Sequence, residues 1–296
     1  MQASEMTFGI EIETLAPASA IRDGLQIGSY HHGLQVPYLP EGWKAERDGS
    51  LRPGANEYAC EIVSPVLKGI EGLRQVAEVI AILVAKGHRV NASCGLHVHV
   101  GWAYDTDSSK MARLLTITSY AEKALYASAG TKSREQGANG TCYCNGIKKY
   151  GTPAQAKKNC EGFRYHTLNL TNLANRTRPT VEFRVFSGSL NATKVLGWVQ
   201  LALGIVEQAH HAKRSPSWNP QPLKAGGGWA KGGPGRSELE RLMGYLGWGE
   251  GYAKRLGGRM AGWLLPRNEM DGVKAELRRL ADKYDAEGTE PSTQVA

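Results

Sequence analysis

The sequence predicts an α+β fold built on an antiparallel sheet with one polar, exposed face. Three observations carry this. Four short stretches place polar residues at every second position of otherwise apolar strands: Phe8-Gly9-Ile10-Glu11-Ile12-Glu13, Cys60-Glu61-Ile62-Val63-Ser64-Pro65, Gly95-Leu96-His97-Val98-His99-Val100 and Thr180-Val181-Glu182-Phe183-Arg184-Val185-Phe186. Helix-spaced apolar patterns are interleaved with these strands. The strands alternate instead of reading as continuous apolar runs, which argues against a doubly wound parallel sheet buried on both faces.

The first strand spans 6–13. Alternate side chains of a strand point to opposite faces, so Glu11 and Glu13 lie opposite Phe8, Ile10 and Ile12. Residues 16–56 are rich in Gly, Pro and polar residues and read as loops with short strands. A strand at 58–63 ends at Ser64-Pro65. Residues 68–86 read as a helix, with Ile70, Leu73, Val76, Ala77, Ile80, Leu83 and Val84 on one broad face and Gly87 where a helix-ending glycine belongs. In the strand 95–101, His97 and His99 share a face opposite Leu96, Val98 and Val100. Asp107, Ser108 or Ser109 caps a helix that runs to about Ala129.

Residues 130–162 hold few apolar residues and many Gly, Asn, Lys and Cys. The stretch is long for a connection, so it is expected to be a mobile lid carrying Lys148, Lys149, Lys157 and Lys158. Strands follow at 164–171 and 180–187, the second placing Glu182 and Arg184 on one face. Asn191 caps a helix over 192–212, with Val195, Leu196, Val199, Leu203 and Val206 at helical spacing. The expected division is a catalytic domain at 1–212, a Pro/Gly-rich linker or covering loop at 213–236, a basic helical segment at 237–286 and a disordered tail at 287–296. Within the third part, helical patterns lie near 237–247 and 268–285.

At 296 residues with 41% hydrophobic content, the chain can bury a full core. No apolar run approaches the roughly 20 residues of a membrane span. Residues 1–8 contain Glu5 and no long apolar region, so no signal peptide and no membrane partner are expected. Five scattered cysteines argue for reduced thiols in a cytoplasmic setting. The net charge of +8 suits anionic partners such as nucleotide phosphates or acidic substrates. Nucleic acid is a less favoured partner, because no recognisable nucleic-acid module accompanies the charge. Cys142, Cys144, Cys160 and His166 invite a zinc reading, but the Cys-x-Cys spacing is unusual for a structural site and reduced loop thiols are preferred.

Two same-face glutamates on a strand stand roughly 6–7 Å apart. At that spacing they suit two neighbouring cations better than one. Neutral imidazole ligates metals or contacts phosphate, and Arg grips phosphate oxygens. Taken singly, each motif also fits a solvated strand face or a cross-strand salt bridge. Jointly they put carboxylates, imidazoles and a guanidinium on the same kind of face. Crowded carboxylates need cations to neutralise them.

The chain resembles the amidoligase family, a branch of the glutamine synthetase and glutamate–cysteine ligase superfamily. The motifs are the four strands above, Asp48-Gly49-Ser50-Leu51, Cys94, Tyr165 to Asn172, and Gly188-Ser189-Leu190-Asn191. Together they run from about residue 6 to 212. The resemblance implies a curved sheet like a glutamine synthetase catalytic domain, with helices packed on one side. It implies ATP and two or three divalent ions, Mg²⁺ or Mn²⁺, in the concavity. By motif, Glu13 and Glu61 would hold one ion with Asp48, for which Glu57 is an alternative. Glu11, His97 and Glu182 would hold the ion nearer the nucleotide. His99 would lie near the nucleotide, and Arg184 would face the transferred phosphoryl group, with Glu182 also in the catalytic set. The implied activity is ATP-dependent ligation of a carboxylate substrate to an amine substrate, an amino acid or peptide among them, through an acyl phosphate. A metal-dependent hydrolase on the same fold and a non-catalytic nucleotide- or nucleic-acid-binding protein are the competing readings.

Overall fold

In the computed structural model, which describes residues 1–136, 143–220, 237–249 and 260–287, the sheet is organised around β1, Thr7–Pro17. Phe8, Ile10 and Ile12 are buried on its apolar side. The other strands are β2 Leu34–Gln35, β3 Lys44–Glu46, β4 Glu57–Val63, β5 Leu67–Lys68, β6 Gly95–Gly101, β7 Leu168–Asn169 and β8 Thr180–Ser187. They form one open sheet of eight strands in the order β2-β3-β4-β1-β6-β8-β7, with β5 paired to the start of β1. Every named strand pair is antiparallel. The expected α+β class, with a mainly antiparallel sheet, is what the chain forms.

The helices among the described residues are α1 Ala18–Arg22, α2 Gly69–Ala85, α3 Ser108–Ala129, α4 Ser133–Gln136, α5 Pro153–Gly162, α6 Thr171–Ala174, α7 Ala192–His211, α8 Glu238–Leu246 and α9 Arg267–Ala286. None of them is long and apolar enough to cross a membrane. Helix α7 packs on β6, α2 and α3, while α3 packs on β8. This layer meets the apolar side of the sheet in one continuous core. The caps are those the sequence specifies. Asp107 accepts the N–H of Ser109, and Asn191 accepts that of Lys194. Gly130 closes α3 at φ 75°, a conformation that favours glycine, and a Cβ there would stand 2.6 Å from Leu280 of α9.

Helices α8 and α9 pack against α3 and α7. Buried polar groups of α7 tie the chain ends together. Gln200 accepts the N–H of Leu264 at 3.0 Å, and Glu207 accepts those of Ala3 and Gly262 at 3.1 and 3.0 Å. The expected linker at 213–236 lies outside the described residues from 221 onward, as does the expected tail at 287–296 beyond Glu287.

Two expectations are corrected. The strand read over 164–171 is only Leu168–Asn169. There the Asn169 side chain accepts the N–H of Thr171 at 2.9 Å, turning the chain into α6. The segment 130–162 is a folded insertion over its described part. It contains α4, a 3₁₀ turn at Lys148–Tyr150 and α5, and it buries Cys144, Ile147, Ala156 and Cys160. Its anchor comes from α3: the buried Glu122 carboxylate accepts the N–H groups of Ile147 and Lys148. Residues 137–142, including Cys142, lie outside the described residues.

The thiol reading fits what is described. Cys144 donates to the Arg134 carbonyl, and the two nitrogens of His166 face Phe163 O and Tyr150 Oη at 2.7 and 2.6 Å. Burial pushes the Cys160 thiol up to about 12.

His88 gives a pH test of the core. Its ring lies between Thr14 Oγ1 and Tyr38 Oη, at 3.1 and 2.9 Å, and burial lowers its pKa from 6.5 to about 4. The unfolded chain therefore binds a proton in this window that the folded chain does not. The stabilisation is present in full above 6.5 and is lost as pH falls towards about 4. In urea unfolding, the stability difference between the wild type and His88→Gln should shrink across that window, by about 3 kcal/mol at most. A constant difference would show that His88 does not titrate this way.

Candidate functional site

The polar side of the central strands forms the floor of a cavity of about 450 Å³. Strand register, more than any loop, sets its chemistry. Glu13 of β1 is paired with Glu61 of β4, which is paired in turn with Glu46 of β3. Glu11 is paired with His97 of β6, and His99 with Glu182 of β8. Because partners in register share a face, their side chains converge.

His97 stands among four carboxylates. Its Nδ1 lies 3.0 Å from Glu11, 3.7 Å from Glu61 and 3.6 Å from Glu182, while Nε2 lies 3.5 Å from Glu13. His99 Nε2 is 3.1 Å from Glu11 Oε1 but out of line for a hydrogen bond, and neither buried ring nitrogen has an aligned partner. Arg184 Nη1 donates to Glu182 Oε1 at 2.5 Å, and Asn169 donates to the other oxygen of Glu182 at 2.6 Å.

Three sets of side chains bring potential ligand atoms within 4.8 Å of one another: Glu13, Asp48 and Glu61; Glu11, Glu61 and His97; and Glu11, His99 and Glu182. The expected set of Glu11, His97 and Glu182 also lies close together, with His97 Nδ1 3.0 and 3.6 Å from the two carboxylates, and His99, which was expected to stand apart, joins Glu11 and Glu182 in a further set. The register between β6 and β8 shifts between Leu96 and Val98, and this brings His99 opposite Glu182.

The electrostatics divide the carboxylates. Burial alone would raise Glu11, but the charge of His99, with the hydrogen bond and charge of His97, outweighs it and holds its pKa well below the ordinary carboxylate value. Burial likewise opposes ionisation of Glu182, and Arg184 with the two histidines overcomes it. Glu61 goes the other way: burial and then the charges of Glu11 and Glu13 push it well above its ordinary value. In His99, burial is outweighed by Glu11 and Glu182, and the pKa is raised.

All eight residues singled out from sequence (Glu11, Glu13, Asp48, Glu61, His97, His99, Glu182 and Arg184) line this cavity. Glu57 does not; it accepts from Arg89 and from the Gly54 N–H, which leaves Asp48 beside Glu13 and Glu61. Sequence reasoning missed Glu46, Arg134, Arg164 and Arg178, which also line it. Glu46 sits on a three-residue strand, too short to display a period. The three arginines lie on a four-residue helix or outside regular elements. With them, six carboxylates and four arginines face one space.

A family model described as "Putative amidoligase enzyme" matches residues 4–151 and 148–206, a span that contains all eight of these residues. No curated protein matches the chain.

Proposed function

We propose that this chain, which belongs to the amidoligase family, is an ATP-dependent carboxylate–amine ligase acting through an acyl phosphate. The observation that carries the reading is the convergence of Glu11, Glu13, Glu61, His97, Glu182 and Arg184 on one cavity.

The donor set fits divalent cations. Buried carboxylates crowd together, Glu61 carries a raised pKa, and His99 offers ring nitrogens with no aligned partner. Oxygen donors with one or two imidazoles suit Mg²⁺ and Mn²⁺. Glu13, Asp48 and Glu61 would hold one ion, and Glu11, shared between the sets with His97 and with His99 and Glu182, would hold the others. When bound, such ions neutralise the phosphate oxygens of ATP.

The chain's own groups then have distinct tasks. Arg184 stabilises the charge that develops on the transferring γ-phosphoryl group. Glu182 and Asn169 hold that guanidinium and its partner carboxylate in place. A carboxylate oxygen of the acid substrate attacks the γ-phosphorus and ADP leaves. The amine attacks the carbonyl carbon of the acyl phosphate, inorganic phosphate leaves, and one proton is released. The cavity walls must keep water from the acyl phosphate, a task for Tyr143 of the folded insertion and for Arg164 and Tyr165 just after it.

The test is an ADP-release screen across pools of acids and amines with Mg²⁺ or Mn²⁺. ADP formation that requires metal, acid and amine together is expected. Turnover without ATP would favour a hydrolase, and salt-sensitive nucleic-acid binding without turnover would favour a binding protein.

A further inference from the structure

The floor of the cavity accounts for the carboxylates, the imidazoles and Arg184, but not for the aromatic rings at its mouth. Tyr30, Tyr143, Arg164 and Tyr165 line the cavity. Tyr143 and Phe163 meet Tyr165 edge-on, with ring centroids 5.2 and 5.0 Å away. Tyr30, Tyr143 and Phe163 are 45, 40 and 52% exposed, so three large rings stand open to solvent in one place. Such patches mark contact sites.

Arg164 is set among these rings. Its guanidinium carbon lies 5.8 Å from the centre of Tyr30 and 5.1 Å from that of Tyr165, and it donates to both hydroxyls. Among the described residues, no carboxylate comes within ion-pair distance of it. A guanidinium has five N–H donors, so two such bonds leave donors for a ligand. Around it, residues 143–167 carry Lys148, Lys149, Lys157, Lys158 and Arg164 against Glu161 as the sole acid.

Arg164 and Arg184 share a neighbour. The Arg184 guanidinium carbon lies 5.8 Å from the Tyr165 centroid. The two guanidinium carbons are therefore no further apart than the sum of their distances to that ring. An extended chain covers about 3.3–3.6 Å per residue, so no more than about three residues are needed to bridge them.

We propose, resting on the ligase reading, that the acid substrate is a short acidic peptide with two carboxylates within about three residues of each other. The carboxylate to be activated lies towards Arg184, the second is held by Arg164, and an intervening side chain rests on Tyr143 and Phe163. Charge decides against the other planar candidate, a nucleobase: it is neutral and would leave Arg164 unmatched.

The test measures calorimetric binding of tripeptides to the full chain, with magnesium and a non-hydrolysable ATP analogue present. The tripeptides carry glutamate at both ends, at one end or at neither. Binding of the two-acid peptide at least tenfold tighter than either one-acid peptide is expected. Arg164→Gln should abolish that preference and Arg164→Lys should partly restore it, with analogue affinity unchanged in both variants. Equal binding of two-acid and one-acid peptides would overturn the proposal. So would an Arg164→Gln protein that keeps the preference but binds the analogue more weakly, because the rim would then hold the base. Failure of the ligase reading shows separately: no ADP release with any acid–amine pair, while the two-acid preference and its loss in Arg164→Gln still identify the peptide site.

Discussion

Arg184→Lys should slow ADP formation by roughly 30- to 1000-fold, about 2–4 kcal/mol of lost transition-state stabilisation, and leave nucleotide affinity nearly unchanged. Lys keeps the positive charge but loses the planar fork that matches phosphoryl oxygens. It also loses the seat that the native side chain occupies. Arg184 donates to one oxygen of Glu182, whose other oxygen is held by Asn169. Burial opposes the charge on Arg184, but Glu182 outweighs it and the pKa is raised, so the guanidinium stays charged without needing a substrate. A group held charged and oriented in advance pays no reorganisation during the reaction, and that is why its loss should fall on rate. Single-turnover measurements separate the two effects, and a thermal melt of the variant controls for folding. A variant that turns over at the native rate would leave Arg184 as a structural partner of Glu182.

The contrast between legible and illegible parts of this site has a local cause. The floor was readable because a strand displays its faces at a period of two, and β6 and β8 span the residues expected of them. The helix starts at Asp107 and Asn191 were readable because a cap bonds a backbone N–H only two or three residues away. The insertion was not. Its low apolar content suggests mobility, but the group that orders it is Glu122, 25 positions before Ile147 and on a helix that otherwise packs against the core. Nothing local announces that contact. Arg164 likewise acquires its position from Tyr30, 134 residues away. The pairing of ligand sets was hidden for a third reason. Period-two reasoning says which side chains share a face, but the register shift in β6 decides which of them touch.

Glu61→Gln should have opposite effects with and without divalent ions. In the wild-type cavity Glu61 is pushed well above its ordinary carboxylate value of 4.5, by burial first and by Glu11 and Glu13 next. A group whose folded pKa is raised contributes its stability below the unfolded value and loses it as pH rises through the folded one. Above the ordinary carboxylate value, without metal, the Glu61 carboxyl is therefore a source of strain. Gln keeps the shape and removes the charge, so the chelator-treated variant should melt at a higher temperature than the wild type. The gap should widen as pH rises from the ordinary carboxylate value. With Mn²⁺ or Mg²⁺ the order should reverse. Ligand at a hundred times its Kd stabilises the form that binds it by about 2.7 kcal/mol, a shift of several degrees for a chain of this size. Glu61 belongs to two of the three candidate ligand sets, so its loss weakens both. A buried carboxylate cluster that served folding alone would gain from the substitution in every buffer. Melting curves in chelator and in saturating metal separate the cases: if the variant gains as much from the ions as the wild type does, Glu61 is not a ligand.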